Sequence, residues 1–395
     1  VICTGCACLC DDIELENGKV HNACIKGVAL IKKAQNTHFT PVADGRKVDG
    51  EKAIDEAITK IQNSENFAIY GLDTVPLRAQ QIAIDIAKKT EGYIDDASSL
   101  CMGVFVEEIL LERIKSTTLE EVRDRADFTL YWGADPFNSH PRHISRFTYY
   151  PRGQFRQKGW EEDRYLAVVD IRESYTSKLA KKIIMVENDE EFIQSLIDVA
   201  NGNTPSAYLR DAVELITRIK KSEFGVMFGG LGLRYGLSDI GLLKNLLDEL
   251  NNLTEFYFIP MGCHPNMRGF NELLFASVGE LNSYSFRDGI RDSTFSFSSL
   301  LTKEQIDTIL IVGADPVASL PFEIASKIAK ANVILLDPCP SYTSKIADVV
   351  IPTSVSGIGA GGEMIRIDGK KIKFEAHSLE EITDEYVLKR IEEAI

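Results

Sequence analysis

The sequence predicts an α/β protein in which a small N-terminal cysteine-rich domain precedes two repeats of one parallel-sheet module. Three observations predict it. Cysteines crowd the first two dozen residues, apolar runs alternate with amphipathic segments through most of the chain, and one loop string occurs twice. The alternation, as in Phe67–Tyr70 then Leu77–Lys89, or Phe224–Phe228 then Ser238–Leu250, is that of strand–helix–strand units whose sheet is covered on both faces.

The N-terminal element is Cys3, Cys6, Cys10 and Cys24, with spacing C-x2-C-x3-C-x13-C and Lys26-Gly27 following. Three thiolates in one short loop and a fourth from the next turn suit a cubane [4Fe–4S] cluster, in which each iron takes its own sulfur donor. Structural zinc is the alternative, although its ligands usually come as two C-x2-C knuckles and Cys24 stands alone. A disulfide framework fits poorly, since 8 cysteines in 395 residues are sparse and no signal peptide precedes them. Cys8 matches no ligand position. A hairpin over Asp12–Val20, turning at Asn17-Gly18, is expected to fold over the cluster. The domain is bounded at 1–50.

The repeat follows. Strand Phe128–Trp132 runs into Gly133-Ala134-Asp135-Pro136, then Ser139 and Pro141; strand Ile309–Val312 runs into Gly313-Ala314-Asp315-Pro316, then Ser319 and Pro321. Further on, Asp170 leads to Ser174-Tyr175-Thr176-Ser177-Lys178, and Asp337 leads to Ser341-Tyr342-Thr343-Ser344-Lys345, at the same offset. Two aligned strings define two copies of one module, over 51–207 and 208–355, with a closing segment and C-terminal helix over 356–395.

Physically, each copy reads as a nucleotide-binding half. A glycine after a parallel strand lets backbone approach a phosphate, and the following helix offers free N–H groups. An acidic residue after a later strand suits a ribose or purine edge, with the serine hydroxyls completing the contacts. The other reading makes Asp135-Pro136 and Asp315-Pro316 turns with helix caps. Gly230-Leu231-Gly232 with Gly236 fits a packing turn, or a backbone wall for a cofactor, better than a dinucleotide fingerprint, because the spacing is G-x-G-x-x-x-G and the acidic residues near position 248 lie within a helix.

Composition bounds the function. With 59 acidic and 44 basic residues, a net charge of −15 argues against a sequence-independent grip on nucleic acid. No run approaches the roughly 18 apolar residues of a membrane span. Unpaired cysteines point to a reducing cytoplasm.

Cys101, in Asp95–Gly103, is placed at a sheet's carboxyl edge, and Met261–Gly269 occupies the comparable place in the second copy. Together, the C-x2-C-x3-C…C-x-K-G segment, the strand–Gly-x-Asp-Pro loops, the strand–Asp turns, the single Cys101 and the closing stretch Val349–Gly369 resemble the molybdopterin oxidoreductases, and among them the formylmethanofuran dehydrogenase B-subunit family. The resemblance covers nearly the whole chain.

It implies two molybdopterin guanine dinucleotides, one per module, holding tungsten or molybdenum. It implies Cys101 as a metal ligand, Cys3, Cys6, Cys10 and Cys24 as cluster ligands, and Lys26 between cluster and pterin. Asp170 and Asp337 fall to the guanosine ends, with Gly133, Asp135, Ser174, Gly313, Asp315 and Ser341 completing the cofactor contacts. The implied reaction is reversible reduction of CO2 to formate, passed to an amidohydrolase-like subunit for condensation with methanofuran. Two positions depart from the family pattern: Met102 follows Cys101 where relatives carry histidine, and Gly262 falls where they carry arginine. His264 and Arg268 are the candidates to restore those charges. The alternatives are a divergent molybdopterin oxidoreductase with another substrate, or a non-redox scaffold.

The basic segment His140-Pro141-Arg142-His143, Arg146, Arg152, Arg156 suits pterin pyrophosphates, a subunit-facing surface or nucleic acid. Molybdopterin oxidoreductases carry a C-terminal barrel domain over the pterins, for which this sequence shows no counterpart. The tail from Asp384 reads as one amphipathic helix, so the expected partners are a barrel-domain subunit and ferredoxin-like iron–sulfur subunits.

Overall fold

The computed structural model describes residues 1–395 except Asn17, Thr37, His38, Glu161, Leu379 and Glu381, and the side chain of Asn36. It is a mixed α/β structure of two units. One comprises Val1–Leu100, His264–Arg366 and Lys371–Ile395; the other comprises Cys101–Cys263 and Ile367–Lys370. No helix of the described residues is long and apolar enough to cross a membrane.

The first unit is built on a nine-stranded sheet. Its centre is five parallel strands in the order Tyr93–Asp95, Phe67–Gly71, Thr308–Val312, Asn332–Leu336, Val349–Ile351. Short antiparallel strands extend both edges, Tyr284–Ser285 and Ile290–Arg291 on one side and Val42–Ala43 and Arg46–Lys47 on the other. The central strands are largely apolar because both faces are covered, and the pleat divides them by parity. Leu310, Val312, Ile334 and Leu336 face a core shared with helices Gly50–Gln62, Leu77–Lys89 and Asp384–Ala394. Ile309, Ile311, Val333 and Leu335 face Phe297, Leu300 and Ile328 on the other side.

The C-terminal helix forms as its sequence pattern predicts. Thr383 caps it, accepting from the Tyr386 N–H at 3.1 Å, and Val387, Leu388 and Ile391 lie in the core. The N-terminal hairpin also forms, with Glu14–Glu16 paired antiparallel to Lys19–His21. Asn17 of its expected turn lies outside the described residues.

The second unit has a five-stranded, wholly parallel sheet in the order Glu255–Pro260, Phe224–Gly229, Phe128–Trp132, Tyr165–Asp170, Lys182–Met185. Within it, Gly230–Leu233 packs backbone to backbone on Gly133: the Gly232 N–H donates to the Gly133 carbonyl at 3.0 Å, and a Cβ on Gly133 would lie 2.2 Å from the Leu233 nitrogen. This is the packing turn expected of that glycine cluster.

Domain boundaries at 51–207 and 208–355 do not match these units. The repeat is real in sequence, but its halves are exchanged. Phe67–Gly71, from the first copy, pairs with Thr308–Val312 from the second; Phe128–Trp132, from the first, pairs with Phe224–Gly229 from the second. Each sheet therefore takes the first strand–helix–strand half of one copy and the Gly-Ala-Asp-Pro half of the other. Hydrophobic pattern specifies which face a strand buries and says nothing of which equivalent neighbour it pairs with, so the exchange is invisible in the sequence.

Candidate functional site

Each sheet reverses its strand order where the two halves meet. In the first unit the reversal lies between Phe67–Gly71 and Thr308–Val312, and in the second between Phe224–Gly229 and Phe128–Trp132. Loops diverge there beyond the carboxyl ends, which is where open α/β sheets bind ligands. Both Gly-Ala-Asp-Pro loops sit at these reversals.

In the first unit an open cleft of about 620 Å³ occupies the reversal, lined by Thr74, Gly313, Asp337, Cys339, Ser354 and Asp384, with Thr4 and Lys33 at its wall. Gly313 has φ +60°, and a Cβ there would stand 2.1 Å from Thr74 Oγ1, so only glycine admits the threonine hydroxyl, which donates to the Gly313 carbonyl at 2.9 Å. Burial raises the carboxyl of Asp337 to about 6 and that of Asp384 to about 7. Ser354 Oγ is buried and has no partner among the described residues.

The cysteine loop forms part of this wall. The Thr4 hydroxyl donates to the Ser356 carbonyl at 2.9 Å, and the Ser356 hydroxyl to the Thr74 carbonyl at 3.2 Å. Ile2 and Leu9 pack with Met364 in a small apolar cluster. The Cys3 N–H donates to the Cys10 carbonyl at 2.8 Å and closes the loop. Burial pushes the Cys3 thiol up to about 12, opposed by a hydrogen bond from the Gly5 backbone and reinforced by Cys10, Cys6 and Cys24. A hydrogen bond from the Cys8 thiol holds Cys6 down at about 7, with Lys26 acting in the same direction. Thus Cys3 lies in the fields of Cys6, Cys10 and Cys24, and Cys8, without a place in the spacing, is a buried donor to Cys6. A Cβ on Gly27 would stand 2.9 Å from Cys3 Sγ, so the C-x-K-G glycine lets the second segment close on the loop. Among the described residues no group of three or more His, Cys, Asp or Glu is arranged to hold a metal ion.

Each Gly-Ala-Asp-Pro aspartate is occupied with the Ser-Tyr-Thr-Ser string of its own copy. Asp315 accepts from the backbone N–H groups of Tyr342 and Thr343 and from the Thr343 hydroxyl, at 2.9, 2.9 and 2.7 Å. Asp135 likewise accepts from the Thr176 hydroxyl. The helices that follow, Pro136–Ser139 and Pro316–Ser319, are single turns. Their first residue is proline, the N–H of Phe137 or Val317 donates to the threonine hydroxyl, and the next N–H returns to the aspartate carbonyl. The N–H groups expected to be free for a phosphate are therefore engaged; the threonine hydroxyl, and not the side chain of Asp135 or Asp315, takes the first N–H of each turn. Ser174 and Ser177, like Ser341 and Ser344, bond each other's backbone N–H groups. Asp170 accepts from the Arg172 N–H at 3.4 Å, and Asp337 from the Cys339 N–H at 2.9 Å.

No family model matches the chain. It is 30% identical over 403 aligned residues, 94% of its length and 92% of the relative's, to the B-subunit of tungsten-containing formylmethanofuran dehydrogenase 2 from Methanococcus maripaludis. Identity and coverage are the same for the protein of that name from Methanocaldococcus jannaschii.

The chain belongs to the formylmethanofuran dehydrogenase B-subunit family.

Its fold also matches a chain of the formyltransferase/hydrolase complex from Methylorubrum extorquens solved with methylofuran, with a TM-score of 0.71 at 21% identity, covering 89% of this chain and 98% of that one. In this member of the B-subunit family the remaining candidates are distributed over both units. Cys101 opens the second unit, half-buried ahead of helix Gly103–Leu110. Met102, next to Cys101, is completely buried. The Gly262 carbonyl accepts from His140 Nε2 at 2.9 Å. His264 and Arg268 belong to the first unit. Arg268 donates through Nε to Glu272 at 2.6 Å.

Part of the basic segment is engaged within its own unit. His143 Nδ1 lies 2.8 Å from the Tyr131 hydroxyl, and Arg156 pairs with Glu223 at 2.8 Å. Sequence reasoning missed Arg164, which is buried and donates to the carbonyls of Ala126 and Thr148 at 2.9 Å each. A guanidinium bonded only to carbonyls carries no pairing signal in sequence.

Proposed function

We propose that the chain is the catalytic subunit of a formylmethanofuran dehydrogenase complex, reducing CO2 reversibly to formate at a tungsten or molybdenum centre carried by two molybdopterin guanine dinucleotides and supplied by one [4Fe–4S] cluster. The observation that carries the reading is the cysteine loop standing at the wall of the switch-point cleft, tied to it through Thr4, Ser356 and Thr74. A cluster held there lies beside the open cleft at a sheet reversal. The word tungsten in the names of both relatives supports the metal.

Cys3, Cys6, Cys10 and Cys24 hold the cluster as thiolates, since metal coordination deprotonates a thiol outright and overrides the burial that raises Cys3. Lys26, which already favours the Cys6 thiolate, stabilises the added negative charge. Gly313 and the Ser354 hydroxyl offer the first-unit cleft a close backbone approach and a donor, and Asp337 accepts from N–H groups of a purine. Gly133, Asp170 and Ser174 take the matching roles in the second unit, as Ser341 does in the first. Asp135 and Asp315 act as positioning residues that fix these loops. Cys101 supplies the thiolate suited to a soft metal. When bound, the metal–dithiolene group supplies the two-electron chemistry of CO2 + 2e⁻ + 2H⁺ to HCOOH.

Formate then passes to an amidohydrolase-like subunit, and barrel-domain and ferredoxin-like subunits complete a cytoplasmic complex. Metal analysis of the native complex tests the reading. About four irons and one tungsten or molybdenum per chain are expected. Cys101→Ser is expected to retain the iron and alter the sulfur shell seen by X-ray absorption at the tungsten or molybdenum edge. Iron alone in the wild type supports the second reading, a non-redox scaffold, which the buried Met102 and the Gly262 departure favour.

A further inference from the structure

The second half of the basic segment lies away from the cofactor loops. Between Thr148 and strand Tyr165–Asp170 the second unit has no helix or strand among the described residues. The Phe155 N–H donates to the Asp124 carbonyl at 3.0 Å, and Arg156 Nε to the Arg125 carbonyl at 2.7 Å. Arg156 pairs with Glu223 at 2.8 Å and with Asp127 at 3.6 Å, the residues immediately before strands Phe224–Gly229 and Phe128–Trp132. This stretch therefore covers the amino end of a wholly parallel sheet. The Gly-Ala-Asp-Pro loop lies at the carboxyl end, so Arg156 stands at the wrong end of the strand for a pyrophosphate bound there.

The stretch is held firmly and still exposes its aromatic rings. The Lys158 N–H donates to Asp163 Oδ2 at 2.7 Å, Lys181 Nζ to the Trp160 carbonyl at 3.0 Å, and the buried Arg164 to the Thr148 carbonyl at 2.9 Å. Tyr150 is 38% exposed, Phe155 62% and Trp160 44%. Beside Phe155 an open hollow of about 640 Å³ is lined by Arg125, Arg156, Glu223 and Phe224, and the Arg125 guanidinium stands 4.6 Å from the centre of the Phe224 ring. Exposed aromatic and arginine side chains on a fixed backbone, next to a hollow, are the makeup of a protein-binding hot spot, because little freedom is lost when a partner covers them.

Charge indicates what covers them. From Tyr150 to Trp160 the chain carries Arg152, Arg156 and Lys158 and no acidic residue, within a protein of net charge −15. Glu223 pairs with Arg156 and Glu162 with Lys158, while Arg152 is exposed. We propose that Tyr150–Trp160 is the docking surface for a partner polypeptide whose contact segment carries an aromatic side chain beside a carboxylate. The ring enters the hollow between Phe155 and the guanidinium groups of Arg125 and Arg156, where cation–π contact favours an aromatic, and the carboxylate meets Arg152. A long polyanion such as nucleic acid would also meet the negative charge of the rest of the protein. A short acidic segment meets the basic stretch alone, since exposed charges more than about 8 Å away are screened at physiological salt. That the partner is another subunit of the dehydrogenase complex rests on the proposed function; the surface does not.

Hydroxyl-radical footprinting of the wild-type chain, isolated and in the complex purified from its native source, tests the surface. Oxidation of Tyr150, Phe155 and Trp160 is expected to fall severalfold in the complex and to stay low after nuclease treatment. Equal oxidation in the two states overturns the proposal. Protection lost with nuclease assigns the surface to nucleic acid, and protection that appears in the isolated chain as its concentration rises assigns it to a second copy; either result also overturns the proposal. Arg152→Glu and Phe155→Ser, produced in the native host, are each expected to weaken retention of the co-purifying polypeptides about tenfold or more. Circular dichroism identifies a variant that fails to fold, and the other variant then decides. Unchanged retention in a folded variant overturns the aromatic and carboxylate recognition. Failure of the oxidoreductase reading shows instead as missing tungsten and molybdenum with the protection intact.

Discussion

Thr343 gives both its backbone N–H and its hydroxyl to one carboxylate oxygen of Asp315, at 2.9 and 2.7 Å. The two most conspicuous strings of the repeat are therefore partners, one clamping the other at the sheet's carboxyl end. Asp315→Ala leaves those donors without an acceptor and is expected to cost about 2–4 kcal/mol; Thr343→Val, which keeps the backbone donor, costs about 1 kcal/mol. Urea denaturation of the singles and the double is expected to give a coupling energy of about 1 kcal/mol, and strict additivity would refute the clamp.

Gly313→Ala puts a methyl group against Thr74 Oγ1 in a left-handed backbone. Destabilisation of at least about 2 kcal/mol is expected. Adding Thr74→Ala removes the overlap and retains the backbone strain, so the double variant is expected to recover part of the loss in thermal melts. No recovery would mean the two residues are not in contact.

Stability depends on pH through Asp384, buried at the start of the C-terminal helix with the Thr353 hydroxyl donating to it at 2.8 Å. Its folded pKa of about 7 lies above the ordinary value of 3.8, so the folded state holds this proton more tightly than the unfolded chain. The resulting stabilisation is fully present below about pH 4 and is lost as pH rises through about 7. Asp384→Asn keeps an acceptor for Thr353 and is expected to stabilise the protein at pH 8 by a few kcal/mol relative to wild type, with little difference at pH 4. Equal wild-type and variant stability at pH 8, measured by denaturant titration, would contradict the burial of an ionised carboxyl.

Cys3→Ala and Cys10→Ala are each expected to lower bound iron from about four per chain to near zero, because a cubane missing one thiolate also loses local folding energy. Iron content and the visible spectrum of the purified variants check this. Cys8→Ala, which removes the hydrogen bond to Cys6, is expected to keep its iron.

How much of this was legible depends on whether the signal was local. The cysteine spacing, the two repeated strings and the apolar stripe of the final helix were all readable, because each is written within a few turns of chain. The exchange of halves was not, since Ile69 and Leu310 are equally good partners for any buried parallel strand. Asp135 and Asp315 were recognised by position but their bonds were not legible, because an aspartate bonding a threonine 41 or 28 residues on looks the same in sequence as one awaiting a ligand.

The exchanged halves impose an order on biosynthesis. Residues 101–263 are contiguous and contain every strand of their own sheet, so that unit can close while the rest of the chain is still being made. Phe67–Gly71, synthesised earlier, must wait with a bare apolar edge until Thr308–Val312 emerges, and Thr4 and Ile2 wait longer still for Ser356 and Met364. A nascent chain stalled before residue 308 therefore exposes an unpaired strand edge open to aggregation or to capture by a holdase chaperone. The cysteine loop, synthesised before either sheet, is among the last parts of the molecule to acquire its walls.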